Sequence, residues 1–234
     1  MNLDPAEIEK FEKLASSWWD PEGEFKPLHD LNPVRLDYIA SRVPLEGTEV
    51  LDVGCGAGLL SEAMARGGAL VTGVDAAEKA LSIARLHALE HDVEVNYVSG
   101  TAESLVGQRQ YPVVTCLELL EHVPDPDSTL RALAELVQPG GHLFLSTLNR
   151  TPKAFVLGIV AAEYLLGLLA RGTHSYRRFI KPSEMVRSCR GAGLRLVDLS
   201  GLDYDPFAGK ASLTEDLSIN YIACFEKAAS LDDS

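Results

Sequence analysis

The stretch Val50-Leu51-Asp52-Val53-Gly54-Cys55-Gly56-Ala57-Gly58 constrains this chain more than any other: a short apolar run leads into a turn with glycine at every second position. A bounded apolar run of this length reads as a buried strand. Glycines after it permit positive φ and let a ligand come close to the backbone. From this point strand and helix patterns alternate. Residues 59–66, 77–90 and 128–137 read as helices, and 70–74, 93–98, 112–117 and 142–147 as strands. Parallel strands need crossovers, and helices on the crossovers bury both faces, so the alternation predicts an α/β fold with a mainly parallel sheet. Residues 194–199 and 219–225 alternate with no long helix between them and predict an antiparallel pair closing one edge. Before the first strand, 5–19 carries Ile8, Phe11, Leu14, Ala15 and Trp18 at helical spacing, and 32–42 predicts a second helix. Together they would form an N-terminal cover.

A dinucleotide fingerprint needs G-x-G-x-x-G, with its last glycine where the helix receives pyrophosphate. Gly54, Gly56 and Gly58 miss that register, the third glycine coming one residue early. Asp75 closes the second strand, where a carboxylate can accept from both hydroxyls of a ribose. Asp52 beside the turn attracts an ammonium group and repels a pyrophosphate. An adenosyl amino acid meets both conditions. The formal charge of −13 argues against nucleic acid as a partner. The four cysteines are far apart and form no C-x-x-C pair, which suits reduced thiols, and the acidic, polar start lacks a secretory pattern. A cytoplasmic chain is expected.

On these residues the sequence resembles the class I S-adenosylmethionine-dependent methyltransferases, through Asp52 to Gly58 and the acid Asp75 over roughly residues 45–147. The resemblance implies a Rossmann-like, mainly parallel seven-stranded sheet with an antiparallel edge strand, and S-adenosylmethionine as cofactor. It further implies that Thr101 and Ala102, after the third strand, sit against adenine, and that Leu117 touches the cofactor.

Methyl transfer from a sulfonium requires an aligned and unprotonated acceptor. Glu118-Leu119-Leu120-Glu121-His122 follows the fourth strand, at the edge where open α/β sheets bind ligands. A helical turn puts Glu118, Glu121 and His122 on one face, and Pro124 and Pro126 confine them to that turn. Two carboxylates and an imidazole suit Mg²⁺, which would lower the pKa of a catechol. Salt-bridged loop carboxylates, with His122 alone as the base or as a packing residue, fit equally well. Both readings stay open.

Segments outside the generic core extend the likeness. Trp18-Trp19, Glu22 to His29, Leu31 to Leu36, Glu118 to Pro126, Ser146 to Arg150 and Gly172 to Pro182 resemble the ubiquinone-biosynthesis O-methyltransferases, over about residues 8–225. This resemblance implies methylation of ring hydroxyls on polyprenylated phenol and quinol intermediates, with Arg35, Gly54, Asp75 and Leu117 contacting the cofactor. It also implies a divalent metal at a site like Glu118, Glu121 and His122, and other enzymes of the pathway as partners. A methyltransferase of another small phenol is the alternative, and a non-catalytic lipid-binding protein is a weaker one.

Residues 154–170 are apolar or small apart from Glu163 and Tyr164, too short and too charged to span a bilayer. Arg171, His174, Arg177, Arg178 and Lys181 follow. An apolar run beside a basic cluster in an acidic protein predicts reversible contact with anionic lipid at the inner face of the membrane, through 151–182. The expected organisation is one domain over 1–234. It comprises a cover (1–44), a cofactor-binding core (45–150), the insertion (151–182) and a C-terminal closure of the sheet (183–227).

Overall fold

The computed structural model describes residues 2–156 and 176–229, and for Arg177 the backbone only. The predicted apolar stretch 154–170 and most of its basic sequel therefore lie largely outside the described residues. Strands β1 (Glu49–Val53), β2 (Leu70–Asp75), β3 (Val95–Ser99), β4 (Tyr111–Leu117) and β5 (Val137–Leu148) are parallel, in the order β3-β2-β1-β4-β5. Helices α3 (Leu59–Arg66), α4 (Glu78–Glu90), α5 (Ala102–Leu105) and α6 (Pro126–Leu136) make the crossovers. Side chains of β1 alternate between two cores: Leu51 and Val53 pack with α6, while Val50 packs with α2 (Lys26–Ala40) and α3. The order reverses at β1, which leaves a crevice at the C-terminal ends of β1 and β4. That crevice contains the site.

The sheet has eight strands rather than the expected seven, and its antiparallel part is three strands rather than one. Strand β8 (Asn220–Lys227) inserts between β5 and β6 (Leu194–Asp205), and β7 (Lys210–Thr214) forms the outer edge. The extra strand is β7. Lys210-Ala211-Ser212-Leu213-Thr214 is short and mostly polar, as befits an edge, and its alternation rests on Ala211 and Leu213 alone, too brief to mark a strand. Helix α8 (Pro182–Gly191) precedes β6 and packs on the same core as α6.

The N-terminal cover folds as α1 (Pro5–Leu14), a 3₁₀ turn (Ala15–Ser17) and α2. Asp4 caps α1, its side chain accepting from the Ala6 amide. Helix α2 starts six residues before the predicted position. Asn32-Pro33 has the form of a cap followed by a first helical residue, but the helix continues through Pro33. Trp18 and Trp19 fasten the cover to the glycine turn. The Trp18 ring stacks on Phe25 at 4.1 Å, and the Trp19 indole N–H donates to the Ala57 carbonyl at 3.0 Å.

Candidate active site

The glycine turn leaves β1 with positive φ at Gly54, Gly56 and Gly58. Two of these positions are also sterically closed. A Cβ on Gly56 would lie 2.3 Å from the Trp18 ring, and one on Gly58 would lie 2.0 Å from the Tyr97 hydroxyl oxygen. The turn is thus pressed between the cover and β3, and α3 begins directly after it.

Asp75 fixes the turn from β2, accepting from the Gly56 amide at 2.9 Å and the Ala77 amide at 2.8 Å. Burial raises its carboxyl above the usual range although both amide hydrogen bonds oppose the shift. Asp52 is tied more tightly. It accepts from the Ser61 hydroxyl at 2.6 Å and the Thr115 hydroxyl at 2.7 Å, and its carboxyl is likewise raised by burial. Asp52 therefore braces β1 against α3 and β4 as well as bordering the crevice.

A single cavity of about 660 Å³ collects most of the predicted residues. Arg35, Asp52, Gly54, Gly56, Asp75, Thr101, Ala102, Leu117, Glu118 and His122 border it, whereas Gly58 and Glu121 stand behind its wall. Thr101 caps α5, its hydroxyl oxygen accepting from the Ser104 amide, which holds Thr101 and Ala102 at the end of β3. The two buried cysteines near the site, Cys55 and Cys116, have thiols pushed well up by burial and supply no nucleophile.

Beyond β4 the chain makes a 3₁₀ turn, Leu120–His122. Glu118 enters it with φ +55°, a left-handed conformation uncommon for a side chain of this kind. Its Oε1 accepts from Arg35 at 2.7 Å, from the Ser146 hydroxyl at 2.7 Å and from the Asn220 amide at 3.2 Å. Burial pushes this carboxyl up, but the Arg35 guanidinium and the hydrogen bonds outweigh burial and hold it below the ordinary range. Glu121 shows the reverse. It is buried, accepts from the Thr147 hydroxyl at 2.8 Å, and hydrogen-bonds to Glu118. Burial first, and the neighbouring Glu118 charge second, raise its carboxyl far above the usual range. The two carboxyls therefore titrate as a pair, with Glu121 the one driven toward its neutral form.

His122 departs from the other two. Its Nδ1 lies 2.9 Å from Glu7 Oε2 on α1, and its ring meets Phe11 edge-on at 5.0 Å. Burial works against ionisation of Glu7, yet the hydrogen bonds from His122 and Lys10 lower it to about 2. Among the described residues no group of three or more His, Cys, Asp or Glu is placed to hold a metal ion. In this arrangement the predicted trio does not fit Mg²⁺. Arg35, Ser146 and Asn220 converge on Glu118, Glu121 accepts from Thr147 and is pushed toward its neutral form by burial, and His122 is turned toward Glu7.

Glu7 and Asn220 are site residues that the sequence reading did not identify. Glu7 had a faint signal: a carboxylate one turn before Phe11, on the face predicted to pack inward. Asn220 had none. Arg178, expected in the lipid-facing basic cluster, is paired with Asp4 at 2.8 Å and approaches Glu7 at 3.8 Å, so it holds α1 in place. No helix among the described residues is long and apolar enough to cross a membrane.

Comparison with known proteins agrees with this geometry. A family model for a methyltransferase domain matches residues 12–199. A magnesium protoporphyrin IX methyltransferase from Synechocystis PCC 6803, solved with bound SAH, shares the fold with a TM-score of 0.67 at 21% identity, over 87% of this chain and 85% of that one. Two curated relatives are much nearer in sequence, and both are named ubiquinone biosynthesis O-methyltransferase. The one from Ralstonia nicotianae is 54% identical over 94% of each chain. The one from Azoarcus sp. is 55% identical over 94% of this chain and 96% of its own. With a crevice built as the sequence motifs require and relatives of this identity along nearly its whole length, the chain belongs to the ubiquinone biosynthesis O-methyltransferase family.

Proposed function

We propose that the protein methylates ring hydroxyls of polyprenylated phenol and quinol intermediates, with S-adenosylmethionine as methyl donor and His122 as the residue that receives the acceptor's proton. The donor supplies an electrophilic methyl group on a sulfonium. Asp75, Thr101 and Ala102 border the part of the cavity suited to its nucleoside, and Gly54 and Gly56 let the remainder lie against the backbone. One observation supports the assignment of roles most directly: Glu118 and His122 border the same cavity as the glycine turn. Substrate oxygen and donor can therefore meet without rearrangement of the sheet.

A phenol, with a pKa of about 10, is a poor nucleophile at neutral pH unless its proton is removed. Glu7 Oε2 lies 2.9 Å from His122 Nδ1, and a carboxylate there favours the tautomer protonated on Nδ1, which makes Nε2 the nitrogen that receives the acceptor's proton. As the oxygen–methyl bond forms and the carbon–sulfur bond breaks, the phenolic proton passes to that nitrogen. The charge on Glu118, balanced by Arg35, orients the second hydroxyl of a catechol as a hydrogen-bond acceptor. A role for Mg²⁺ at Glu118, Glu121 and His122 would require Arg35 and Glu7 to release their partners first.

The test is transfer of labelled methyl to a demethylated quinol, with and without chelator. Turnover that survives chelation and falls at least about a hundredfold in His122→Ala supports the base reading, given the usual weight of general base catalysis. Turnover abolished by chelator and restored by Mg²⁺ refutes it. Reversible association with anionic lipid at the inner membrane face, through 151–182, belongs to the same proposal. Exposed Phe155 and Val156 at the start of that segment support it. A variant lacking the insertion that still sediments with anionic vesicles would refute it.

A further inference from the structure

The geometry points to an exit for the acceptor's isoprenoid tail between the start of α2 and the turn joining β6 to β7, with Phe207 as the residue that reads the tail. This inference rests on the substrate class proposed above. The cavity that holds Glu118 and His122 does not end there. Its wall continues past Leu31 and Leu202, both buried, to Pro27 and Leu28 on one side and Pro206 and Phe207 on the other. Asp203 is the charged residue that borders this arm, and it is exposed to solvent, while the carboxylates flanking the arm are engaged elsewhere. Asp30 accepts from the Tyr204 hydroxyl at 2.8 Å and lies 3.8 Å from the Lys26 ammonium, and Asp205 is occupied with the backbone of its own turn.

Phe207 is 87% exposed, the highest exposure among the large apolar side chains described. An exposed phenylalanine on a floppy tip would need no explanation, but this one is held in position. Asp205 Oδ1 accepts from the Phe207 amide at 2.9 Å and the Ala208 amide at 3.1 Å, while Gly209 closes the turn with φ +59°. The Tyr204 to Asp30 hydrogen bond then ties the hairpin to α2. A solvated ring on a fixed turn at the mouth of an apolar arm gains by covering an apolar ligand that leaves through that mouth. A head group seated beside Glu118 and His122 has a chain to dispose of, and this arm is the apolar way out that borders the cavity.

The experiment compares two acceptors with the same ring, one carrying a long prenyl tail and one carrying none, in detergent micelles. The quantity read is the ratio of kcat/KM for the tailed acceptor to that for the tail-less one. In Phe207→Ser the ratio is expected to fall about five- to tenfold, the effect of losing part of an apolar contact the size of a phenyl ring. Leu213→Ser serves as control. Leu213 is exposed on β7 of the same hairpin but does not border the cavity, so the ratio should hold. An unchanged ratio in Phe207→Ser overturns the exit. So does a ratio that falls only when vesicles replace micelles, since Phe207 would then be reading lipid. The parent enzyme is assayed first. If it turns over neither acceptor, the functional proposal fails and the exit with it; turnover of both by the parent leaves any later failure to the exit alone.

Discussion

Replacing Glu121 by glutamine tests the charge arrangement at the centre of the site. Glutamine keeps the shape of a protonated glutamate, can accept from Thr147 and can donate to Glu118, so the folded structure loses little. What it removes is titration. A carboxyl whose folded pKa lies far above its ordinary 4.5 binds a proton in the native state that the unfolded chain has released. The parent protein therefore loses stability as pH rises above about 4.5, at roughly 1.4 kcal/mol per pH unit for as long as Glu121 keeps its proton. The glutamine variant is spared this loss. Between pH 5 and pH 7 its stability relative to the parent should rise with pH for as long as Glu121 keeps its proton, a trend that urea unfolding reads directly. Unfolding curves of both proteins at half-unit pH steps supply the comparison. Parallel profiles over that range would mean that Glu121 is ionised in the native state and that the two carboxyls do not share a proton.

Arg35→Met should show the converse dependence through Glu118. Without the guanidinium, Glu118 must either stay charged and unpaired or take up a proton. The cost should be least at acid pH, well below 4.5, where Glu118 is protonated in both proteins, and grow with pH toward about 3 kcal/mol, and a cost that does not vary with pH would contradict the pairing. Gly58→Ala combines a left-handed backbone with a Cβ 2.0 Å from the Tyr97 hydroxyl oxygen. A loss of at least ~2 kcal/mol is expected, together with weaker uptake of S-adenosylmethionine in calorimetry, because the turn can yield only by moving toward the cavity. Unaltered stability and affinity would show that the turn is not confined by β3.

The parts of the site that could be read from sequence are those whose geometry is local. A strand, a glycine turn and an acid at the end of the next strand lie close together along the chain, and each carries a composition that steric and electrostatic requirements dictate. Glu118, Glu121 and His122 were also found as a group, since one turn brings them together. Their division was not legible. Which carboxyl is charged depends on Arg35, Ser146 and Asn220, and the direction of the imidazole depends on Glu7, all of them distant in sequence. Spacing along one turn gives proximity but not protonation, because protonation is set by whatever packs against the turn from other elements.

The same reasoning explains why β7 and the hairpin tip passed unnoticed while carrying what we take to be specificity. An edge strand is kept polar and short to avoid pairing with other chains, so the alternation by which a strand is recognised is cut to two apolar residues here, Ala211 and Leu213. A residue that reads a flexible apolar tail has to stand exposed at a turn, where a single phenylalanine is indistinguishable in sequence from an incidental one. Phe207 becomes informative only when its turn is seen to be held by Asp205 and its hairpin by Asp30. Chemistry common to the whole fold thus sits where sequence patterns are strong, at the ends of buried strands. In the proposed exit, recognition of a particular acceptor would fall to the late antiparallel strands and the N-terminal cover, where the pattern is weakest and where residues of both border the same cavity.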